Sequence, residues 1–167
     1  MNRMMFLLVF FLQPLVSCNK GLENGSLESE ISVVIDGNLA DQLRSSPKNV
    51  VINSNNLSLD TYLWRDFMPP AEENGSPLMC VIKFIGQTNS VLFNSVSLSK
   101  LYVVNHNKIW ISDTFETHIF HEDNWEVVIR NGPKWEPGIY VDVICEFMSQ
   151  GQSFKLIAKS QMINATH

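Results

Sequence analysis

The chain changes its pattern twice along its length. Residues 4–12 form an unbroken apolar run, and residues 19–30 (NKGLENGSLESE) are almost wholly polar. From Ile31 onward, short β-branched and aromatic runs alternate with clusters of Asn, Gly, Ser and Pro. That alternation is the mark of strands separated by turns. It predicts strands at ISVVID (31–36), NVVI (49–52), LSLDTYLWRDF (57–67), LMCVIKFI (78–85), LSKLYVVN (98–105), KIWIS (108–112), WEVVIRN (125–131), GIYVDVICEF (138–147) and SFKLIAKSQMI (153–163). In LYVVNHNKIWIS only His106 and Asn107 separate two apolar runs, and both residue types tolerate positive φ, so a tight hairpin is expected. In GIYVDVICEF, residues 139, 141, 143, 145 and 147 fall on an apolar face, while Tyr140, Asp142, Ile144 and Glu146 fall on a largely wet one. One segment departs from the pattern. Asn38 at a plausible N-cap, with leucines at 39 and 43, predicts one or two helical turns over 38–44. Prolines 47, 69 and 70 fall in connections, where no ladder hydrogen bond is lost. Seven to nine strands at this spacing predict an all-β domain over residues 31–167, an antiparallel β-sandwich of immunoglobulin-like type.

The first apolar run is too short to span a bilayer as a helix, which takes about 20 residues. Behind Arg3 and ahead of Gln13-Pro14, it has the form of a secretory signal. The run ends at Leu15-Val16-Ser17-Cys18. This tetrapeptide resembles the lipobox of bacterial lipoproteins: an aliphatic residue, a spacer, a small residue, then cysteine. The resemblance implies that residues 1–17 are a signal peptide and that Cys18 is acylated as the first residue of the mature chain. The lipid bilayer is then a partner through that residue. Several acyl chains on one cysteine meet the requirement that stable anchoring take more than one. Residues 18–30 then become the lipidated cysteine and a tether, reaching roughly 20 Å as a flexible coil. Asn19 is not the aspartate that retains some Gram-negative lipoproteins in the inner membrane, so the resemblance points to the outer membrane. Glu23 and Glu28 do not form the acidic cluster that sends some Bacteroidetes lipoproteins to the cell surface. Periplasmic and surface faces stay open.

Charge narrows the partners further. The chain carries 12 Lys and Arg against 17 Asp and Glu, a net charge of −5. No basic cluster is present, which argues against nucleic acid. No G-x-S-x-G motif occurs, and the dispersed carboxylates single out no acid–base pair. His118 and His121, with Glu122 and Asp123, form the one dense group of metal-ligand types. The region reads as strand or polar loop, and a zinc site needs further ligands. Neither a catalytic residue nor a metal nor a cofactor is therefore expected.

Cys80 shares a strand face with Ile82 and Phe84, and Cys145 falls on the apolar face of its own strand. Both thiols point at the core in these registers. They are either a disulfide or two buried thiols. Their separation resembles the inter-sheet bridge of immunoglobulin domains, but Val143 stands where that family has tyrosine. Trp64, Trp110, Trp125 and Trp135 are the candidate ligand contacts. Exposed together they would make a platform for sugar rings, although a place in or capping the core is expected for each. Trp110 has Ile109 and Ile111 on the opposite face, so one side of that strand should face outward.

The block Leu63-Trp64-Arg65-Asp66-Phe67-Met68-Pro69-Pro70, with the later Gly132-Pro133-Lys134-Trp135, resembles uncharacterised Bacteroidetes lipoproteins that pair such a segment with such a loop. The resemblance spans most of residues 57–163 and implies no activity. Arg65 and Asp66, adjacent on a strand, face opposite ways and need not pair. The expected role is non-enzymatic binding or interaction at the envelope. The alternatives are a carbohydrate-binding module, with a glycan as partner, or a structural subunit touching an envelope protein.

Overall fold

The computed structural model describes residues 32–71, 73–86, 96–121 and 124–167, except for the side chains of 117–121, 124 and 125. The expected signal peptide, Cys18 and the expected tether lie outside the described residues. In chain order the elements are β1 (Val33–Ile35), α1 (Gly37–Arg44), β2 (Asn49–Ile52), β3 (Asn55–Asp66), β4 (Leu78–Ile85), β5 (Val96–Asn105), β6 (Lys108–Ser112), β7 (Glu116–His121), β8 (Asn124–Gly132), β9 (Tyr140–Ser149) and β10 (Gln152–Thr166). The body is thus predominantly β, with one short helix.

The strands form one curled sheet in the order β1-β6-β5-β9-β10-β3-β4-β8-β7, with β2 paired to β3. Its connections follow from local sequence. His106-Asn107 closes the β5–β6 hairpin, with His106 at φ 53°. Gln150-Gly151 joins β9 to β10, and Asn53-Ser54 joins β2 to β3, with positive φ at both residues of each turn. Such turns match the twist of the strands they join.

The sheet is mixed, which corrects the antiparallel expectation: β10 runs antiparallel to β9 but parallel to β3. A bulge between Ala158 and Gln161 bends β10. Strand bulges raise local twist and redirect the chain. Beyond this one, residues 163–166 lie beside residues 63–66 of β3. The Asp142 carboxylate secures the bulge by accepting from the Ser160 backbone N–H at 3.0 Å.

Alternation places every second residue in one core. β4 contributes Leu78, Cys80, Ile82 and Phe84, and β9 contributes Val141, Val143, Cys145 and Phe147. Phe147 sits between Phe84 and Phe154, with ring centroids 5.1 and 5.7 Å away. Trp110 also turns inward and is 2 % exposed. Its ring packs so closely on Gly132 that a Cβ there would sit 2.7 Å from Cζ3.

The outer face of β5, β6 and β9 is not wet, contrary to the alternation reading. Helix α1 lies over it, burying Ala40 and Leu43 against Tyr102, Val104, Ile109, Ile144 and Ile157. Ile109 and Trp110 are therefore both buried, on opposite faces of β6. The helix cap falls two residues earlier than expected. Asp36, not Asn38, is the N-cap, its carboxylate accepting from the Leu39 N–H at 3.0 Å. Arg44 in the last turn complements the helix dipole. Its Nε donates to Asp142 Oδ2 at 2.9 Å, and its Nη2 to the His106 carbonyl at 2.7 Å.

Candidate functional site: an aromatic cleft at one end of the sheet

The site is built from the sequence block around residue 65. Along β3, Leu63 and Arg65 face inward, while Tyr62 and Trp64 face outward. Arg65 is only 1 % exposed. A buried charge is costly unless its donors are matched. Its match is main-chain oxygen: Nε donates to the Ser76 carbonyl at 2.9 Å, Nη1 to those of Trp135 at 3.2 Å and Lys134 at 3.4 Å, and Nη2 to that of Asn74. The guanidinium also sits 5.0 Å from the centre of the Phe67 ring, within cation–π range. One side chain thus fastens the loop after β3 to the loop before β9. Asp66, pointing the other way, accepts from the Met68 N–H and the Thr166 hydroxyl, both at 2.9 Å. These bonds hold its carboxyl below the ordinary carboxylate range.

The loop so fixed is one wall of a cleft of about 700 Å³. Lys134, Trp135, Glu136 and Ile139 line that wall, with Tyr140 at the start of β9. Asn105 and His106, at the β5–β6 turn, line the other. Trp135 is half-buried, packed on the core on one side and lining the cleft on the other. Tyr140 is 65 % exposed. Two backbone bonds to β10 secure the loop's far end, Gly138 N–H to the Ile163 carbonyl at 2.7 Å and Ile163 N–H to the Ile139 carbonyl at 3.0 Å. Gly138 has φ +86°, a conformation that glycine adopts without strain.

From Tyr140 an apolar row continues over the outer sheet surface. Met162, 43 % exposed, is its cross-strand partner. On β3, the next strand, Tyr62 is 51 % exposed and lies 5.4 Å from Trp64, centroid to centroid.

A second hollow, of about 350 Å³, lies between β6 and the β7–β8 hairpin. Two of its charged groups already pair, Arg130 Nε with Glu116 Oε2 at 2.9 Å, and the Trp110 ring that borders it is committed to the core. The first cleft is therefore the candidate site.

The expected contact residues separate. Trp135 lines the cleft, Trp64 lies half-buried in the outer row, and Trp110 is core. The side chain of Trp125 lies outside the described residues, as do those of His118 and His121 and all of Glu122 and Asp123. Among the described residues no group of three or more metal-ligating side chains occurs. Cys80 and Cys145 are both free, buried thiols. Burial pushes both thiols up, and Cys145 is pushed further by Cys80 and by Glu146. Thiols so held are poor nucleophiles. Among the described residues no helix is long and apolar enough to cross a membrane. Tyr140 and Tyr62 were not singled out from the sequence. Their signal was the outward register of their strands, which a count of tryptophans passes over.

No family model, no curated protein and no solved structure matches the chain.

Proposed function

We propose that this chain is a lipoprotein of a bacterial envelope, held at the outer membrane by an acylated Cys18, whose β-rich body has a non-enzymatic binding role. The observation that carries the binding role is the cleft. It is hollow before any ligand arrives, carries two aromatic side chains, and has no serine, threonine or cysteine in its lining. Binding sites are typically such preformed, mostly apolar concavities with a few polar groups. The anchoring half of the reading rests on the LVSC tetrapeptide and the polar tether behind it. In this reading the two halves of the curled sheet act as a sandwich of immunoglobulin-like type, which presents its loops at the ends where partners are met.

Fractionation tests the anchoring. The full chain is expected to sediment with membranes and to be released by detergent but not by salt, and Cys18→Ala to move to the soluble fraction. A variant that stays with the membrane would count against it.

The outer row of Tyr62, Met162 and Tyr140 favours a second reading, a structural subunit of an envelope complex. Exposed apolar patches mark protein contacts when they reach several hundred Å². Cross-linking in intact envelopes would then give one discrete larger species, lost in Met162→Asp.

A further inference from the structure

We infer that the cleft takes an uncharged oligosaccharide, with Trp135 and Tyr140 as its stacking residues. The inference rests on the binding role proposed above and names its ligand. Four features of the cleft point to this chemistry.

The first is the combination of lining groups. Trp135 and Tyr140 offer flat apolar rings, and Asn105, His106 and Glu136 offer hydrogen-bonding groups around them. A purely apolar ligand would leave those polar groups desolvated and unmatched. A pyranose ring has an apolar C–H face for an aromatic ring and hydroxyls at its edge for the polar groups.

The second is charge. Lys134 and Glu136 are one cation and one anion, and the chain as a whole is acidic at −5. A phosphate or carboxylate ligand would meet a repulsive field with no cationic cluster to offset it.

The third is rigidity. Arg65 holds the carbonyls of Lys134 and Trp135, β10 holds residues 138 and 139, and Arg44 holds the His106 turn. Both walls are set before binding, so little ordering entropy is lost when the ligand arrives.

The fourth is extent. The cleft opens at Tyr140 onto Met162 and then Tyr62, across β9, β10 and β3. Neighbouring strands lie about 4.8 Å apart, so this row is about 10 Å long. It suits a chain of sugars better than a single one.

The test titrates the full chain in mild detergent with soluble hexaoses of β-1,4-linked glucose, mannose and N-acetylglucosamine and of α-1,4-linked glucose, read by tryptophan emission and calorimetry. At least one hexaose is expected to bind saturably and to shift the emission. Tyr140→Ala and Trp135→Ala should each weaken that binding about tenfold or more. Tyr62→Ala should weaken the hexaose but not the matching disaccharide. Because Trp135 also packs on the core, Tyr140→Ala keeps the test valid if Trp135→Ala fails to fold. Binding by none of the probes, or full affinity in Tyr140→Ala, overturns the inference. If no saccharide binds while Cys18 is acylated and the protein is membrane-held, the ligand class falls and the lipoprotein reading stands. Saccharide binding by a chain that is never acylated gives the reverse.

Discussion

Replacing Arg65 with methionine keeps most of the apolar stem of the side chain but shortens it and removes every donor. The carbonyls of Asn74, Ser76, Lys134 and Trp135 then lose a shared partner at a position only 1 % exposed. A hydrogen bond to a charged group contributes about 1.5–3 kcal/mol, and leaving a buried polar group unmatched costs about 1–3 kcal/mol. The four bonds share one guanidinium and cannot add in full, and removing a charge also removes its own desolvation penalty. A net loss of about 3–5 kcal/mol results, a large part of the roughly 5–15 kcal/mol that stabilises a typical domain. At about 3 °C per kcal/mol for a chain of this size, the melting temperature should drop by roughly 9–15 °C. Arg65→Lys keeps the charge but loses the planar fork, and should fall between methionine and wild type. Guanidinium chloride unfolding of the three proteins measures this. A methionine variant within about 1 kcal/mol of wild type would refute the idea that Arg65 ties the two loops together.

Further expectations come from single contacts. Gly132→Ala puts a Cβ 2.7 Å from the Trp110 ring and 2.9 Å from the Leu78 Cβ, and should destabilise by about 1–3 kcal/mol in the same assay. A silent substitution would mean that Trp110 is not packed on β8. The Asp66 carboxyl is held down chiefly by the Met68 N–H and then the Thr166 hydroxyl. A carboxyl with a depressed folded pKa contributes stability above its unfolded pKa and loses it as pH falls through the folded value. Acidification below about pH 4 should therefore destabilise wild type more than Asp66→Asn, and parallel pH profiles would exclude this role. Cys80 and Cys145 should resist a thiol reagent in the native state and both react after unfolding without reductant. A failure to react then would reveal a bridge between them.

The strands were legible because their environments are simple. In β4 one face meets the core and the alternation is clean, so its bounds and inward residues could be read directly; in β9 the inward residues could be read, but the strand runs over 140–149 rather than 138–147. The hairpin at His106-Asn107 was legible for a local reason, since few residue pairs accept its backbone. Three features were not legible, two of them because each depends on a distant segment. Ile144 and Ile109 looked outward-facing, and only helix α1, about 100 residues from Ile144 in sequence, covers them. The parallel β10–β3 pair depends on a bulge at Lys159-Ser160, within a run that otherwise reads as one uninterrupted strand. β7 carries His118 and His121 in place of an apolar alternation, and its sequence left strand and polar loop both open.

For the site, Trp135 stood out in its Gly- and Pro-bounded loop, and the segments around residues 65 and 134 were named together as a sequence resemblance, with no contact between them expected. Their physical link, a buried guanidinium donating to four carbonyl oxygens, could not be read, because carbonyl acceptors leave no trace in side-chain identity. Tyr140 was placed on the correct strand face, but its meeting with Trp135 and His106 is a product of topology.

The account stands or falls most directly on the N-terminus of the mature protein. Intact-mass and peptide mass spectrometry of the full gene product, purified from membranes of a bacterial host, reads it in one measurement. The account predicts a chain that begins at an acylated Cys18 and lacks residues 1–17. A chain that retains those residues, or carries an unmodified Cys18, would contradict it.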